Sequence, residues 1–114
     1  MELVENFKNS KIRIKIISDE PYFCAEDICN ALEIKNSRQA ITYLDYDDVI
    51  SSDGVDSIGR KSKINFISES GLYQIIFRSR KKEAKTFKRW VTSEVLPSIR
   101  KTGSYSIPQS LNQK

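Results

Sequence analysis

Apolar and polar residues alternate strictly along Lys11–Ile17, where Ile12, Ile14 and Ile16 are separated by Arg13 and Lys15. A period of two in β-branched residues predicts a strand with one buried face. Leu3–Phe7 reads as its hairpin partner, with Asn9-Ser10 as the turn. Glu20-Pro21 then ends the pair, and Tyr22-Phe23 resumes extended chain. Here the period changes. Ala25, Ile28, Cys29 and Leu32 fall at i, i+3, i+4 and i+7, the apolar face of a helix. Glu26 and Asp27 occupy its first turn, where the helix dipole favours acids. Asn36 or Ser37 caps a second helix, and Gln39 stands three residues after Asn36 as in a capping box. Ala40, Ile41 and Leu44 would be its buried stripe. Two short helices joined by a tight turn predict a helix-turn-helix shape.

Asp45–Gly59 is acidic and turn-rich, with at most a short strand near Val49-Ile50. Gly59-Arg60-Lys61 makes a basic turn into Ser62–Ile67, where Ile64 and Phe66 alternate with Lys63 and Asn65 as in a strand. Ser68 or Ser70 caps a third helix carrying Leu72, Ile75 and Ile76, and Arg78–Arg80 breaks it. The strongest helical signal follows, from Lys81 to near Leu96. Ala84, Phe87, Val91 and Val95 mark its buried side and Trp90 flanks it. Pro97 fits the first turn of a new short helix, and Gly103 is a natural stop. The pattern predicts a single α+β domain over residues 1–103, in which small antiparallel β-hairpins pack with four to five helices, including the helix-turn-helix-like pair. Residues 104–114 are polar, contain Pro108 and read as a linker or tail.

Charge sharpens this picture. The net charge of +4 hides an asymmetry. Residues 1–77 hold nine Lys/Arg against thirteen Asp/Glu, whereas residues 78–114 hold ten against two. Seven cations (Arg78, Arg80, Lys81, Lys82, Lys85, Lys88, Arg89) crowd the segment from Arg78 to Arg89, with Glu83 as its one acid. The same segment carries Phe87 and Trp90, so its charge is displayed on folded structure. A rigid cationic face suits a polyanion, because each neutralised phosphate releases condensed counterions. An acidic protein surface is the other partner such a pole fits. A membrane fits poorly: no apolar run approaches the roughly 20 residues of a spanning helix, and no long amphipathic helix is free of core duty. Met1–Phe7 does not read as a signal peptide.

Catalysis finds little support. The chain has no His, the commonest general base. Cys24 and Cys29 have neither C-x-x-C nor zinc-ligand spacing, and on a helix they point apart, so reduced, partly buried thiols of an intracellular protein are expected. The acids of Asp45–Asp56 lack calcium-loop spacing, and no glycine-rich phosphate loop is present. The expectation is therefore a protein without catalytic, metal or cofactor sites. Arg38 and Gln39 lie on the exposed side of the second helix, where Arg can fork to guanine and Gln to adenine. The alternative for that pair is an ordinary helical hairpin that only contributes core. The tyrosines and Trp90 read as core rather than as base-stacking platforms.

Three stretches, YFCAEDICNAL (Tyr22–Leu32), ISESGLYQIIFRS (Ile67–Ser79) and EAKTFKRWVTSEVLPSIRKTGSY (Glu83–Tyr105), resemble in that order the Bro-N domain. This is the N-terminal module of baculovirus-type BRO proteins and of phage and prophage antirepressors. The last two stretches are the most specific, and the resemblance covers roughly residues 3–105. The chain departs from the pattern at Glu33, where the family commonly has Gly. The resemblance implies an α+β nucleic-acid-binding domain without catalysis or cofactor, usually followed by a variable C-terminal domain. It implies a DNA-binding role in a phage or viral antirepressor-type transcription regulator. The site of action would be the bacterial cytoplasm, or the host nucleus or cytoplasm for a eukaryotic virus. Double-stranded DNA would then meet Lys81, Lys82, Lys85, Lys88 and Arg89, with Arg78 and Arg80 beside them, through its phosphates. Arg38 and Gln39 would read bases. A rival role is a protein-interaction module that binds and sequesters a transcriptional repressor. A third is a structural or homo-oligomerisation domain.

Overall fold

The computed structural model describes residues 2–56, 58–79 and 82–101. Strands β1 (Glu2–Phe7) and β2 (Ser10–Ile17) form the expected hairpin, but the turn is Lys8-Asn9, because Phe7 pairs with Ser10. Lys8 takes the positive φ (54°) that this tight loop demands. Ser18 and Asp19 both have positive φ (52° and 65°) and turn β2 back into β3 (Glu20–Cys24). Glu20-Pro21 thus opens a third strand instead of ending the pair. Strands β4 (Val49–Val55) and β5 (Lys61–Ser68) make a second hairpin. All five join in one antiparallel sheet of order β1-β2-β3-β5-β4. The hairpins are therefore parts of a single layer.

β4 is longer than its sequence predicts, and Gly54 shows why. Asp53-Gly54 reads as a turn, yet it lies within the strand, where Gly54 pairs with Ser62. A Cβ on Gly54 would stand 2.7 Å from Ile64 Cγ1. The glycine is there to make room for a buried isoleucine on the neighbouring strand.

Five helices cover one face of the sheet: α1 (Ala25–Ala31), α2 (Ser37–Ile41), α3 (Glu69–Arg78), α4 (Lys82–Trp90) and α5 (Leu96–Lys101). Ile12, Ile14, Phe23 and Ile67 rise from the sheet to meet Ile28, Leu32, Leu72, Phe87, Val91 and Ile99, all at most 1% exposed. The expected stripe on α4 is confirmed. Phe7, Phe87 and Trp90 close one end of this core as a three-ring cluster, with centroids 4.9 to 5.3 Å apart. Ala40, Ile41 and Leu44 are only half-buried, and α2 has no buried residue. At five residues α2 spans about 7.5 Å. Helices thus occupy both expected places, but α2 is too short to supply the apolar stripe that its sequence suggests, and a helix-turn-helix is not confirmed.

The other face of the sheet carries a smaller apolar cluster of Cys24, Ile64 and Phe66. β3 pairs with only three residues of β5, Phe66 to Ser68, so the rest of the β4–β5 hairpin runs beyond it. That hairpin curls back toward β2. Lys15 Nζ donates to Ser52 Oγ (2.5 Å) and to the Asp53 carbonyl (3.1 Å), and lies 5.2 Å over the Phe66 ring. Arg13 Nη1 donates to the Val55 carbonyl at 2.7 Å.

Helix ends follow capping chemistry. Asn36 Oδ1 accepts from the Gln39 N–H, and Ser68 Oγ accepts from the Gly71 N–H, so Ser68 rather than Ser70 caps α3. α1 ends in a Schellman motif: Ile34 N–H donates to the Cys29 carbonyl and Glu33 N–H to that of Asn30. Glu33 occupies the left-handed position at φ 60°, where glycine is the ordinary residue. α4 and α5 are one rod joined by a π turn, Val91–Val95, which lies directly before Pro97. A proline inside a helix clashes with the carbonyl four residues back, and widening the preceding turn relieves that clash. The stop expected at Gly103 and the tail over residues 104–114 lie outside the described residues.

Two stability outcomes follow from this packing. Phe87→Ala removes a side chain with no exposure from the ring cluster; chemical denaturation should show a loss of about 3–5 kcal/mol. Glu33→Gly relieves a left-handed non-glycine residue. Its midpoint should rise, by roughly 0.5–1 kcal/mol in stability; a fall would mean that the contacts of the Glu33 side chain outweigh the backbone strain.

Candidate nucleic-acid interface

Helix α4 presents its charge because its opposite side is anchored. Ala84, Phe87 and Val91 fix one face in the core, which turns Lys82, Lys85 and Arg89 outward and sets Lys88 toward α3. All four cations are exposed. Among the described residues no ion pair engages any of them. Lys85, Lys88 and Arg89 share a shallow depression with the hydroxyls of Thr86, Thr92 and Ser93. The π turn contributes the last two. Thr92 Oγ1 donates back to the carbonyls of Lys88 (3.0 Å) and Arg89 (3.2 Å). The sequence reading missed these hydroxyls, because a π turn has no period that a pattern search would register. Arg80 and Lys81 lie outside the described residues.

Arg78 closes α3 and sits apart from the α4 set. Its guanidinium lies 4.5 Å above the ring of Tyr43, just beyond α2, a cation–π geometry. Between α3 and Lys88 of α4 runs a groove of about 870 Å³ floored by Tyr73, Ile76 and Phe77. Tyr46 (92%) and Tyr43 (54%) are exposed, against the expectation that the tyrosines serve the core, and Phe77 is 90% exposed as well. The signal was present in the sequence. Phe77 follows Ile76 directly and is rotated about 100° from it, off the stripe of Leu72, Ile75 and Ile76.

Arg38 and Gln39 are exposed on α2, as expected. Arg38 does not join the α4 cations in one depression. It lines a small polar concavity of about 280 Å³ together with Glu26, Asp56, Arg60 and Lys63. Two cations of the β4–β5 hairpin are already matched: Lys63 pairs with Asp53 at 2.7 Å and Arg60 with Asp56 at 3.1 Å. Hydrogen bonds from Lys63 hold the Asp53 carboxyl below the usual carboxylate range, and the Arg60 backbone N–H does the same for Asp56. Among the described residues α4 carries the densest group of cations without an ion pair, four within eight residues.

Cys24 and Cys29 are free and buried. Burial pushes both thiols up to about 11, which keeps them protonated and poorly nucleophilic at neutral pH. Among the described residues, no group of three His, Cys, Asp or Glu is placed to hold a metal ion. No described helix is long and apolar enough to cross a membrane.

Comparison with known proteins places this architecture. The model of the BRO family N-terminal domain matches residues 11–97. An uncharacterized protein of Haemophilus influenzae is 38% identical over 108 residues, which cover 93% of this chain and 54% of that protein. A putative Bro-N domain-containing protein of Invertebrate iridescent virus 6 is 35% identical over 126 residues, covering 93% of this chain and 30% of its own. One from Invertebrate iridescent virus 3 is 30% identical over 128 residues, covering 93% and 32%. The chain thus spans between about a third and about half of the length of these relatives. No solved structure matches. With the family model matching from β2 to α5, through the sheet, the core and the cationic helix, the chain belongs to the BRO family as a Bro-N domain.

Proposed function

We propose that this domain binds double-stranded DNA as the DNA-contacting module of an antirepressor-type transcription regulator of phage or viral kind, acting as a binding module without catalysis. The observation that carries the reading is the face of α4, where Lys82, Lys85, Lys88 and Arg89 are exposed and unmatched on a helix pinned by Phe87 and Val91. Pinning matters, because a cation held in place loses less conformational freedom on meeting a phosphate than one on a loose tail. The hydroxyls of Thr86 and Ser93 beside these cations suit phosphate oxygens, which accept from neutral as well as charged donors. Arg78, and Arg80 and Lys81 in the link between α3 and α4, extend the same cationic run in sequence.

Base reading is assigned to Arg38 and Gln39 on α2. Asn36 caps that helix by accepting from the Gln39 N–H, and both side chains are exposed. An α2 of five residues limits what it can insert into a major groove. Most of the affinity should therefore be electrostatic and indifferent to sequence. The rival reading, capture of a repressor protein, uses the same face against acidic surface and needs no hydroxyls beside the cations.

Reversal of Lys82, Lys85 and Lys88 to Glu should weaken binding to any duplex, and the slope of log affinity against log salt should flatten by roughly one unit per lost phosphate contact. Fluorescence anisotropy at several salt concentrations reads both. A folded variant with unchanged affinity and slope refutes the phosphate role. Arg38→Ala should leave that slope nearly unchanged and relax preference at one position of a motif selected from random DNA, by about 1–3 kcal/mol. If selection enriches no motif and a repressor is retained through the α4 face, the rival reading takes first place.

A further inference from the structure

Arg78 and Tyr43 join two elements that are far apart in sequence. Arg78 is the last residue of α3, and Tyr43 lies in the turn after α2. The guanidinium sits 4.5 Å over the Tyr43 ring, so the ring covers one face of the cation. A guanidinium donates hydrogen bonds from its edge, in its own plane, and stacking leaves that edge free. Among the described residues no acid pairs with this arginine. Arg78 and Tyr43 are both exposed. The ring is itself held in place. The Tyr43 N–H donates to the Ala40 carbonyl, and the neighbouring Leu44 packs against the main core, beside Gly71 of α3.

We propose that Tyr43 is a positioning residue for DNA binding: it holds Arg78 by stacking, so that the guanidinium edge meets a phosphate near those bound by α4. The proposal rests on the reading of α4 as a phosphate-binding face. Arg78 precedes Lys82, the first residue of α4, by four positions. Their Cα atoms are therefore at most about 14 Å apart. That is the rise of about four base pairs, at roughly 3.4 Å per phosphate along one strand. The two cations are close enough for one duplex to touch both. A free arginine at a helix end samples many rotamers and loses them on binding, whereas a stacked one has lost most of them beforehand. A fixed guanidinium plane also suits the two-pronged contact that arginine makes with phosphate oxygens. α2 has no buried residue, so this stack is one of the contacts that tie its C-terminal end to α3. The phosphate contact and the helix assigned to base reading are thus linked through one ring.

Fluorescence anisotropy of the full chain with a random duplex, at several salt concentrations, tests the proposal. Arg78→Ala should weaken binding by about tenfold and flatten the salt slope by roughly one unit. Tyr43→Ala keeps the cation and should weaken binding by about two- to fivefold, the worth of an exposed cation–π contact. Tyr43→Phe keeps the ring face and should bind like the parent. The double variant separates positioning from support of the fold. Once Arg78 is replaced by Ala, Tyr43→Ala should cost nothing further, because the ring acts only through the arginine. Thermal melts check that these exposed substitutions leave the domain folded. A Tyr43→Ala loss of equal size with and without Arg78 overturns the proposal and leaves Tyr43 a structural role at the end of α2. So does an Arg78→Ala chain that binds like the parent, or a Tyr43→Phe chain that binds like Tyr43→Ala. Those failures leave the α4 reading standing wherever reversal of Lys82, Lys85 and Lys88 still weakens binding. A parent that binds no duplex overturns both.

Discussion

The arrangement of this domain depends on one side chain, Arg13. Its Nε and Nη2 donate to the two carboxylate oxygens of Asp27 at 2.8 and 3.0 Å, and its backbone N–H donates to the same carboxylate at 3.0 Å. Nη1 reaches the Val55 carbonyl, and Nη2 lies 3.3 Å from Cys24 Sγ. One residue of β2 therefore ties together the first turn of α1, the end of β3 and the far end of β4. The backbone bond has a clear reason. Pairing of β2 with β3 stops at Ile14 and Phe23, so the Arg13 N–H has no strand partner on that side, and the Asp27 carboxylate takes it. Asp27 also stabilises α1 as an acid in its first turn. Asp27 is mostly buried and Arg13 a third exposed. Removing the arginine would leave a nearly buried carboxylate without its partner, the costly way to break such a pair.

The candidate surface inherits its rigidity from this frame. β2, held in place by Arg13, carries Ile12 and Ile14 into the core, and Phe7 on β1 stacks edge-on against Phe87 of α4. α4 is thereby seated on the sheet through its apolar side, and its cations have nowhere to go but outward. The π turn continues the same rod past Pro97 and adds two hydroxyls to the charged face. A straight α-helix would have to break or bend at that proline. Burial on one side and charge on the other arise from a single amphipathic segment, which is why an unusually basic stretch can also be well ordered.

Much of this was legible in the sequence, for identifiable reasons. The period-two run at Ile12–Ile16 and the 3.6-period runs of α1, α3 and α4 report directly which side is buried, and the buried residues agree. The family was legible too, through Ile67–Ser79 and Glu83–Tyr105. What escaped the reading were features that a one-dimensional period does not encode. Gly54 looks like a turn residue, and only the Ile64 side chain across the sheet explains it as part of a strand. Arg13 looks like an ordinary solvent-facing strand residue, because its partners Asp27 and Val55 lie 14 and 42 residues away. The joining of two hairpins into one sheet rests on three residue pairs between β3 and β5, too few to leave a trace in composition. Of the candidate site, the α4 cations emerge as one surface. Arg38 is separated from them, beside the hairpin, where it lines one concavity with Arg60 and Lys63.

On the proposed reading α4 is where this domain meets a polyanion, with the curled sheet as a support that does not take part. An NMR titration of the isotope-labelled chain with a short random duplex at moderate salt tests that division most directly. Backbone amides from Lys82 to Ser93 should shift together and saturably, and those of Lys15, Phe66 and Ser52 on the opposite face of the sheet should not. Shifts centred on the sheet, or none along α4 at saturating DNA, would contradict it.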